Sequence, residues 1–302
     1  MLSLEGKIAV VAGATRGAGR GIACMLGEVG ATVYCTGRTT RAAAAARILD
    51  PKRPFELSKR PESVEETAEM VTAYGGEGIA VQVDHTVEEQ VSALFERIQA
   101  ERGRLDILVN DIWGGDALTE WEKPFWELSI EKGLLMLRRG VHTHIITSRY
   151  AVPLMVPRRQ GLIVEITDGD RFNYRGNLFY DLVKVSVIRL AYAMAEELRP
   201  HNIAALAVTP GFLRSEAMLE HFGVTEENWQ EAARKDPHFI ASETPYYVGR
   251  AVAALATDLQ VAEKSGSVLS SWDLAEEYGF TDIDGRQPNW GRYYEENVRG
   301  EA

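Results

Sequence analysis

Apolar positions in this chain follow two rhythms. Short runs that are apolar nearly throughout fall at 7–12, 32–36, 78–83, 105–109, 161–167, 203–208 and 266–270. Between them, apolar residues recur at helical spacing over about 18–29, 63–74, 88–101, 130–156, 179–199 and 244–257. Runs with no polar face suit parallel strands that are covered on both sides. Their regular alternation with helices predicts an α/β fold: a single Rossmann-like, doubly wound parallel sheet of about seven strands, with helices on both faces and right-handed crossovers. No internal repeat or Gly/Ser-rich linker divides the chain, so 1–302 reads as one domain.

Four segments depart from the alternation. An insertion at 37–62 carries the tract Arg41–Arg47 and a Pro- and Lys/Arg-rich stretch, and reads as a solvated loop or a rim that attracts phosphate. The connection at 111–128 holds Trp113, Trp121, Phe125 and Trp126. A long segment at 209–242, with a helix-like piece at 225–234, reads as a substrate loop. The extension at 271–302, with Trp272, Tyr278, Phe280, Trp290, Tyr293 and Tyr294, is expected to cap the site or wrap a neighbour. The first three leave the carboxyl ends of strands, where open α/β sheets bind ligands.

Composition narrows the partners. A formal net charge of −11 argues against nucleic acid. No run of about 18 apolar residues suggests a membrane span, and Met1–Lys7 lacks the layout of a secretory signal. Cys24 and Cys35 fall in a helix and a strand, as expected of buried thiols in a reducing cytoplasm. His142 and His144, two apart on a helix, point to different sides, so no metal site is expected.

The first strand enters Gly13-Ala14-Thr15-Arg16-Gly17-Ala18-Gly19 and then a helix. Glycines there let the backbone approach a pyrophosphate and aim helix N–H groups at its charge. The second strand ends in Thr36-Gly37-Arg38, with no carboxylate to receive a ribose 2′-hydroxyl. Arg38, flanked by Arg16, is placed to meet a 2′-phosphate instead, which favours NADP(H) over NAD. Far downstream, Tyr180 and Lys184 stand one helical turn apart on one face. A lysine about 4 Å from a phenol contributes on the order of 4 kcal/mol toward phenolate at an effective dielectric near 20, enough to bring it toward working pH.

These motifs together resemble the short-chain dehydrogenase/reductase family over about residues 5–270. The run Gly161–Val164 and the stretch 153–157 look like a mammalian dehydrogenase/reductase subgroup of it. The resemblance implies a cofactor site of Gly13, Gly17 and Gly19, with Asp84 at the adenine and Asn110 after the fourth strand. It further implies Pro210-Gly211 after the sixth strand and Ser215 at the nicotinamide amide. Tyr180 and Lys184 would be the proton-transfer pair, with Lys184 also contacting the nicotinamide ribose.

The departures are specific. The usual Asn-Asn-Ala-Gly becomes Asn110-Asp111-Ile112-Trp113-Gly114, and the helical asparagine is replaced, by position, with Gly140. The catalytic serine gives way to Asp168 when counted from the strand, or to Thr167 when counted back from Tyr180; the strand register favours Asp168. A protonated Asp168 would donate to the substrate oxygen as the serine does. Trp113, Phe172, Tyr174 and Phe212 suggest a bulky apolar pocket. The expected activity is hydride transfer between NADP(H) and a ketone, aldehyde or secondary alcohol. The alternative is a catalytically weak NADP-binding sensor or structural subunit. The helix at 179–199 is apolar almost all round, and family members pair through it, so a homodimer or homotetramer is expected.

Overall fold

A computed structural model describes residues 3–45, 55–56, 60–170 and 173–299. Its centre is one parallel sheet of seven strands in the order β3-β2-β1-β4-β5-β6-β7. The strands are β1 (Ile8–Ala12), β2 (Thr32–Gly37), β3 (Glu77–Gln82), β4 (Ile107–Asn110), β5 (Gly161–Ile166), β6 (Ile203–Thr209) and β7 (Val268–Ser270). Each lies within two residues of the run that predicts it.

Alternate residues feed two cores. Ala9, Val11, Val33, Val109, Val164 and Leu206 join one, where Ile22, Met25 and Val252 of the helices pack. Ile8, Val10, Tyr34, Leu108, Ile163 and Ala205 join the other, with Leu94, Ile98 and Ala195. The first core is covered by α1 (Gly17–Glu28) and by α3 (Val64–Ala73), which follows the short α2 (Arg41–Ala45). The opposite core is covered by α4 (Glu88–Arg102), α6 (Thr143–Ala151) and α7 (Leu178–Leu198).

The long helix expected over 130–156 is interrupted. It runs as α5 (Ile130–Leu137), a π-helical turn at Arg138–His142, then α6, and it tightens into 3₁₀ turns from Val152. Gly140 lies in the π turn, a device common near functional sites. A Cβ on it would come 2.7 Å from Val183 Cγ1 and 3.2 Å from the Trp113 ring, so the missing side chain makes room for that indole.

Beyond β6, α8 (Glu216–Phe222) forms where no helix is expected, and the piece at 225–234 is a 3₁₀ turn over Trp229–Arg234. Then come α9 (Pro245–Thr257), α10 (Ser271–Tyr278) and α11 (Trp290–Asn297). The C-terminal extension folds back on its own chain. Asp284 pairs with the buried Arg214 at 3.1 Å, and Trp290 packs edge-on against Phe212 at 5.5 Å. No helix among the described residues is long and apolar enough to cross a membrane. Much of the 37–62 insertion lies outside the described residues.

Candidate active site

The strand order reverses between β1 and β4, which opens a crevice at their carboxyl ends. The glycine turn forms its floor. Gly13 has φ +96°, and a Cβ there would lie 2.3 Å from the Asp111 carbonyl oxygen, so only glycine lets the β4 loop come this close. Ala18 is buried, and the Thr15 carbonyl accepts from Arg20 Nε. The turn's donors are partly engaged within the chain: Gly17 N–H donates to Glu216 Oε2 at 2.9 Å. Arg16 Nε donates to Glu62 at 3.1 Å, while Arg16 Nη2 is buried without an acceptor among the described residues. An orphaned guanidinium donor beside a helix N-terminus fits an anionic cofactor.

The expected convergence of Arg16 with Arg38 is therefore revised. Glu62 holds Arg16, because a half-buried guanidinium requires a carboxylate partner. Arg38 is exposed at the end of β2, with its guanidinium near Gly114. Asp84 accepts from the Thr86 backbone and hydroxyl; burial opposes its ionisation, but these bonds hold its carboxyl below the usual range. Asn110 turns inward, donating to Glu165 at 2.7 Å and Ser148 at 3.0 Å, so its side chain braces β4 and β5 and is wholly buried. Pro210 lies in the loop after β6, Gly211 N–H donates to Glu243, and Ser215 Oγ caps α8 at Met218 N–H.

The proton-transfer pair stands at the start of α7, where Asn177 caps the helix at Phe179 and Tyr180. Asp168 meets Tyr180: the phenol donates to Asp168 Oδ2 at 2.7 Å. Thr167 turns the other way, donating to the Lys184 carbonyl at 2.8 Å. The expectation that Lys184 draws the phenol toward neutral pKa does not survive this geometry. Desolvation first, then the Asp168 charge and hydrogen bond, hold Tyr180 well above the ordinary phenol value. Lys184 Nζ sits 4.5 Å over the Trp113 ring and 5.4 Å from the Tyr180 centroid.

Of the expected pocket aromatics among the described residues, only Trp113 lines this centre, edge-on to Tyr180 at 5.5 Å with its Nε1 donating to Asp116 at 2.7 Å. Tyr174 is exposed, Phe212 packs into the 209–242 segment against Phe239, and Phe172 lies outside the described residues. Trp121, which the sequence reading leaves in a connection, stacks obliquely on Tyr180 at 5.3 Å.

Beneath the site lies a polar cluster that sequence spacing does not reveal. His144 Nδ1 is 2.5 Å from Glu165 Oε2, and His144 Nε2 is 3.0 Å from the Ile112 carbonyl. Burial opposes protonation of His144, but the Glu165 charge and these bonds outweigh it and raise its pKa. The available signal was Glu165 itself, a carboxylate inside an otherwise apolar strand, which must find a partner.

Comparison with known proteins agrees with this architecture. A family model described as enoyl-(acyl carrier protein) reductase matches residues 55–268. The "Dehydrogenase/reductase SDR family member 1" proteins of mouse and human are 36% and 37% identical over 288 residues, covering 94% of this chain and 85% of theirs. The chain belongs to the short-chain dehydrogenase/reductase family. A short chain dehydrogenase from Mycobacterium thermoresistibile superposes with a TM-score of 0.75 at 21% identity, covering 96% of this chain and 93% of that one. A 7α-hydroxysteroid dehydrogenase solved with NADH and 7-oxo glycochenodeoxycholic acid gives 0.68 at 24%, covering 95% and 97%. As a family member, the chain is an oxidoreductase of the nicotinamide-dependent class.

Proposed function

We propose that this chain transfers hydride between NADP(H) and a ketone, aldehyde or secondary alcohol, with Tyr180 as the acid/base. The observation that carries the reading is the meeting of Tyr180, Lys184 and Asp168 beside Trp113, at the carboxyl edge of the sheet next to the glycine turn. The backbone at Gly13, Gly17 and Gly19 would receive the pyrophosphate, with Arg38 at the adenosine end. The absence of a carboxylate after β2 supports NADP(H). When bound, the nicotinamide supplies the hydride chemistry. Tyr180 keeps its proton across neutral pH and is therefore suited to protonating the oxygen of a carbonyl undergoing reduction. Lys184 fixes a positive charge near the reacting centre, and Trp113 and Trp121 wall it.

The test is NADPH and NADH oxidation with a panel of aromatic and aliphatic carbonyls, with Tyr180→Phe as control. The variant should lose about 10²- to 10⁴-fold in turnover while still binding NADPH. A variant as active as the parent refutes Tyr180 as the acid. A second reading, a sensor with little catalysis, is favoured by the Asp168 carboxylate that holds the phenol proton; the same assay decides between them. We also infer a homodimer through α5, α6 and α7, because Leu134, Ile145, Leu182 and Tyr192 are exposed on these helices. Light scattering that shows a monomer at micromolar concentration refutes it. Two buried thiols, their pKa values raised by burial, suit a reducing cytoplasm.

A further inference from the structure

Asp168 changes the hydrogen-bonding inventory of the reacting centre. A serine hydroxyl can donate and accept; an ionised carboxylate only accepts. Among the described residues, Asp168 takes one side-chain bond, from Tyr180 at 2.7 Å. A ketone oxygen is also only an acceptor. Placed in this site, it either faces Asp168 as acceptor to acceptor or draws the Tyr180 hydroxyl away and leaves the partly exposed carboxylate to solvent. In neither arrangement does the substrate itself offer Asp168 a donor.

The surrounding charges and rings point the same way. Asp116 stands at Trp113 Nε1, 2.7 Å away, and both it and Asp168 act on Tyr180. Lys184 and Arg16 are the cations that act on Asp116, with Lys184 Nζ 4.5 Å over the Trp113 ring. Arg175 is committed to Asp181 at 3.0 Å and to the carbonyls of Asp168 and Gly169. Asp111, near Lys184, is raised to about 7 by desolvation, so only part of it is ionised at that pH. Two indole rings, Trp113 and Trp121, pack on Tyr180 at 5.5 and 5.3 Å. Lys184 already covers a face of Trp113, so the Asp168 carboxylate and the Trp121 ring are what meet an organic cation that carries an N–H.

We propose that the hydride acceptor this site selects is a protonated imine on an apolar, ring-sized framework, its N–H donating to Asp168. The proposal rests on the hydride-transfer reading above and names the substrate class for that same site. The balance is complete. Two electrons arrive as hydride at the C=N carbon from a reduced nicotinamide, which becomes oxidised. The C=N π pair settles on nitrogen, which already carries its proton, and the iminium becomes a neutral amine. Tyr180 keeps its proton and its bond to Asp168, so no donor is lost during the step.

The test compares 3,4-dihydroisoquinoline, largely protonated near neutral pH, with the similarly sized ketone 1-tetralone, using NADPH and the full chain at pH 7. The imine should be preferred in kcat/KM by about tenfold or more. Asp168→Ser, which restores a donor, should lower imine turnover and raise ketone turnover, inverting the ratio. A second measurement needs no variant: the product amine 1,2,3,4-tetrahydroisoquinoline, a cation at pH 7, should quench tryptophan fluorescence at concentrations about tenfold below those needed for the neutral 1-tetralol. Ketone preferred over imine, a ratio unmoved by Asp168→Ser, or equal binding of amine and alcohol each overturn the proposal while leaving hydride transfer intact. No turnover of either substrate with NADPH bound overturns both readings.

Discussion

The buried His144–Glu165 pair lends itself to a decisive perturbation, Glu165→Gln. The Ile112 carbonyl can only accept, so His144 Nε2 must carry a hydrogen across its 3.0 Å contact. One further proton is then shared between Nδ1 and Glu165 Oε2, 2.5 Å apart. A glutamine can satisfy every partner: its N–H donates to a neutral Nδ1 while its carbonyl accepts from Asn110 Nδ2. His144 and Asn110 each keep their bond, so near pH 8 the variant should lie within about 1–2 kcal/mol of the parent.

The pH dependence should differ much more. In the parent, the folded pKa of His144 lies above its unfolded value of about 6.5. The pair's contribution is thus fully present below that value and is lost as pH rises through the folded pKa. In the variant, His144 resembles His85, which is held between Thr36 and Thr147 hydroxyls and lowered by burial to about 3. There the unfolded chain takes up the extra proton, and stability is lost as pH falls below about 6.5. Between about pH 5, above which Glu165 is ionised in the unfolded chain, and the raised pKa of folded His144, the native parent holds one more proton than the native variant. The stability difference between them should therefore change by about 1.4 kcal/mol per pH unit. Glu243, raised to about 8, is common to both proteins and cancels in the difference, whereas Asp111, raised to about 7, feels the His144 charge and adds a smaller contribution of its own. Urea unfolding at pH 5.5, 6.5 and 7.5 measures it. The gap should widen as pH falls from 7.5 to 5.5, by up to about 3 kcal/mol; a gap that stays constant refutes a shared buried proton.

Three other outcomes follow from the site. Glu216 occupies Gly17 N–H at 2.9 Å and lies 3.7 Å from Arg20, so its carboxylate competes with an incoming pyrophosphate. Glu216→Gln should tighten NADPH binding by about tenfold in calorimetry, since a charge-assisted bond of roughly 1.5–3 kcal/mol is weakened; weaker binding refutes the competition. Gly140→Asn should not restore the family pattern. It should drive the Trp113 indole off Lys184, cost about 1–3 kcal/mol by overpacking and lower turnover, measured by thermal melting and steady-state rates; an unchanged melting temperature refutes the packing argument. Alcohol oxidation needs the Tyr180 phenolate, whose pKa is held high, so its rate should climb steadily through alkaline pH while reduction stays flat near neutrality. Asp168→Asn removes a raising charge and should move the oxidation limb to lower pH.

The sheet was legible because a buried parallel strand has no polar face. Ile8–Ala12 and Ile203–Thr209 are buried throughout, and their sequences state it directly. The glycine turn and the Tyr180–Lys184 spacing were legible for a similar reason: each constraint is local to one turn. The break in the helix at 130–156 was not. A π turn at Arg138–His142 is selected by what packs against it, the Trp113 indole, 25 or more residues away in sequence. α8 was missed because its cap Ser215 was read for a ligand role rather than as the start signal that it also is.

The deeper failure concerned charge. Lys184 at helical spacing from Tyr180 says that the two share a face, and that much held. The sign of the phenol's shift is set first by its burial and then by the group in contact with it, which arrives from the end of β5. Asp168 reaches Tyr180 at 2.7 Å while Lys184 Nζ settles over Trp113. A spacing argument counts the lysine because it is on the same helix; the energy is set first by burial and then by the carboxylate in contact. The same logic reassigns Arg16, which its place in the glycine turn offers to a 2′-phosphate and which Glu62, 46 residues later, holds at 3.1 Å. In both cases the long-range partner decides how much of the charge stays free: Glu62 takes Arg16 Nε, while Arg16 Nη2 has no acceptor among the described residues.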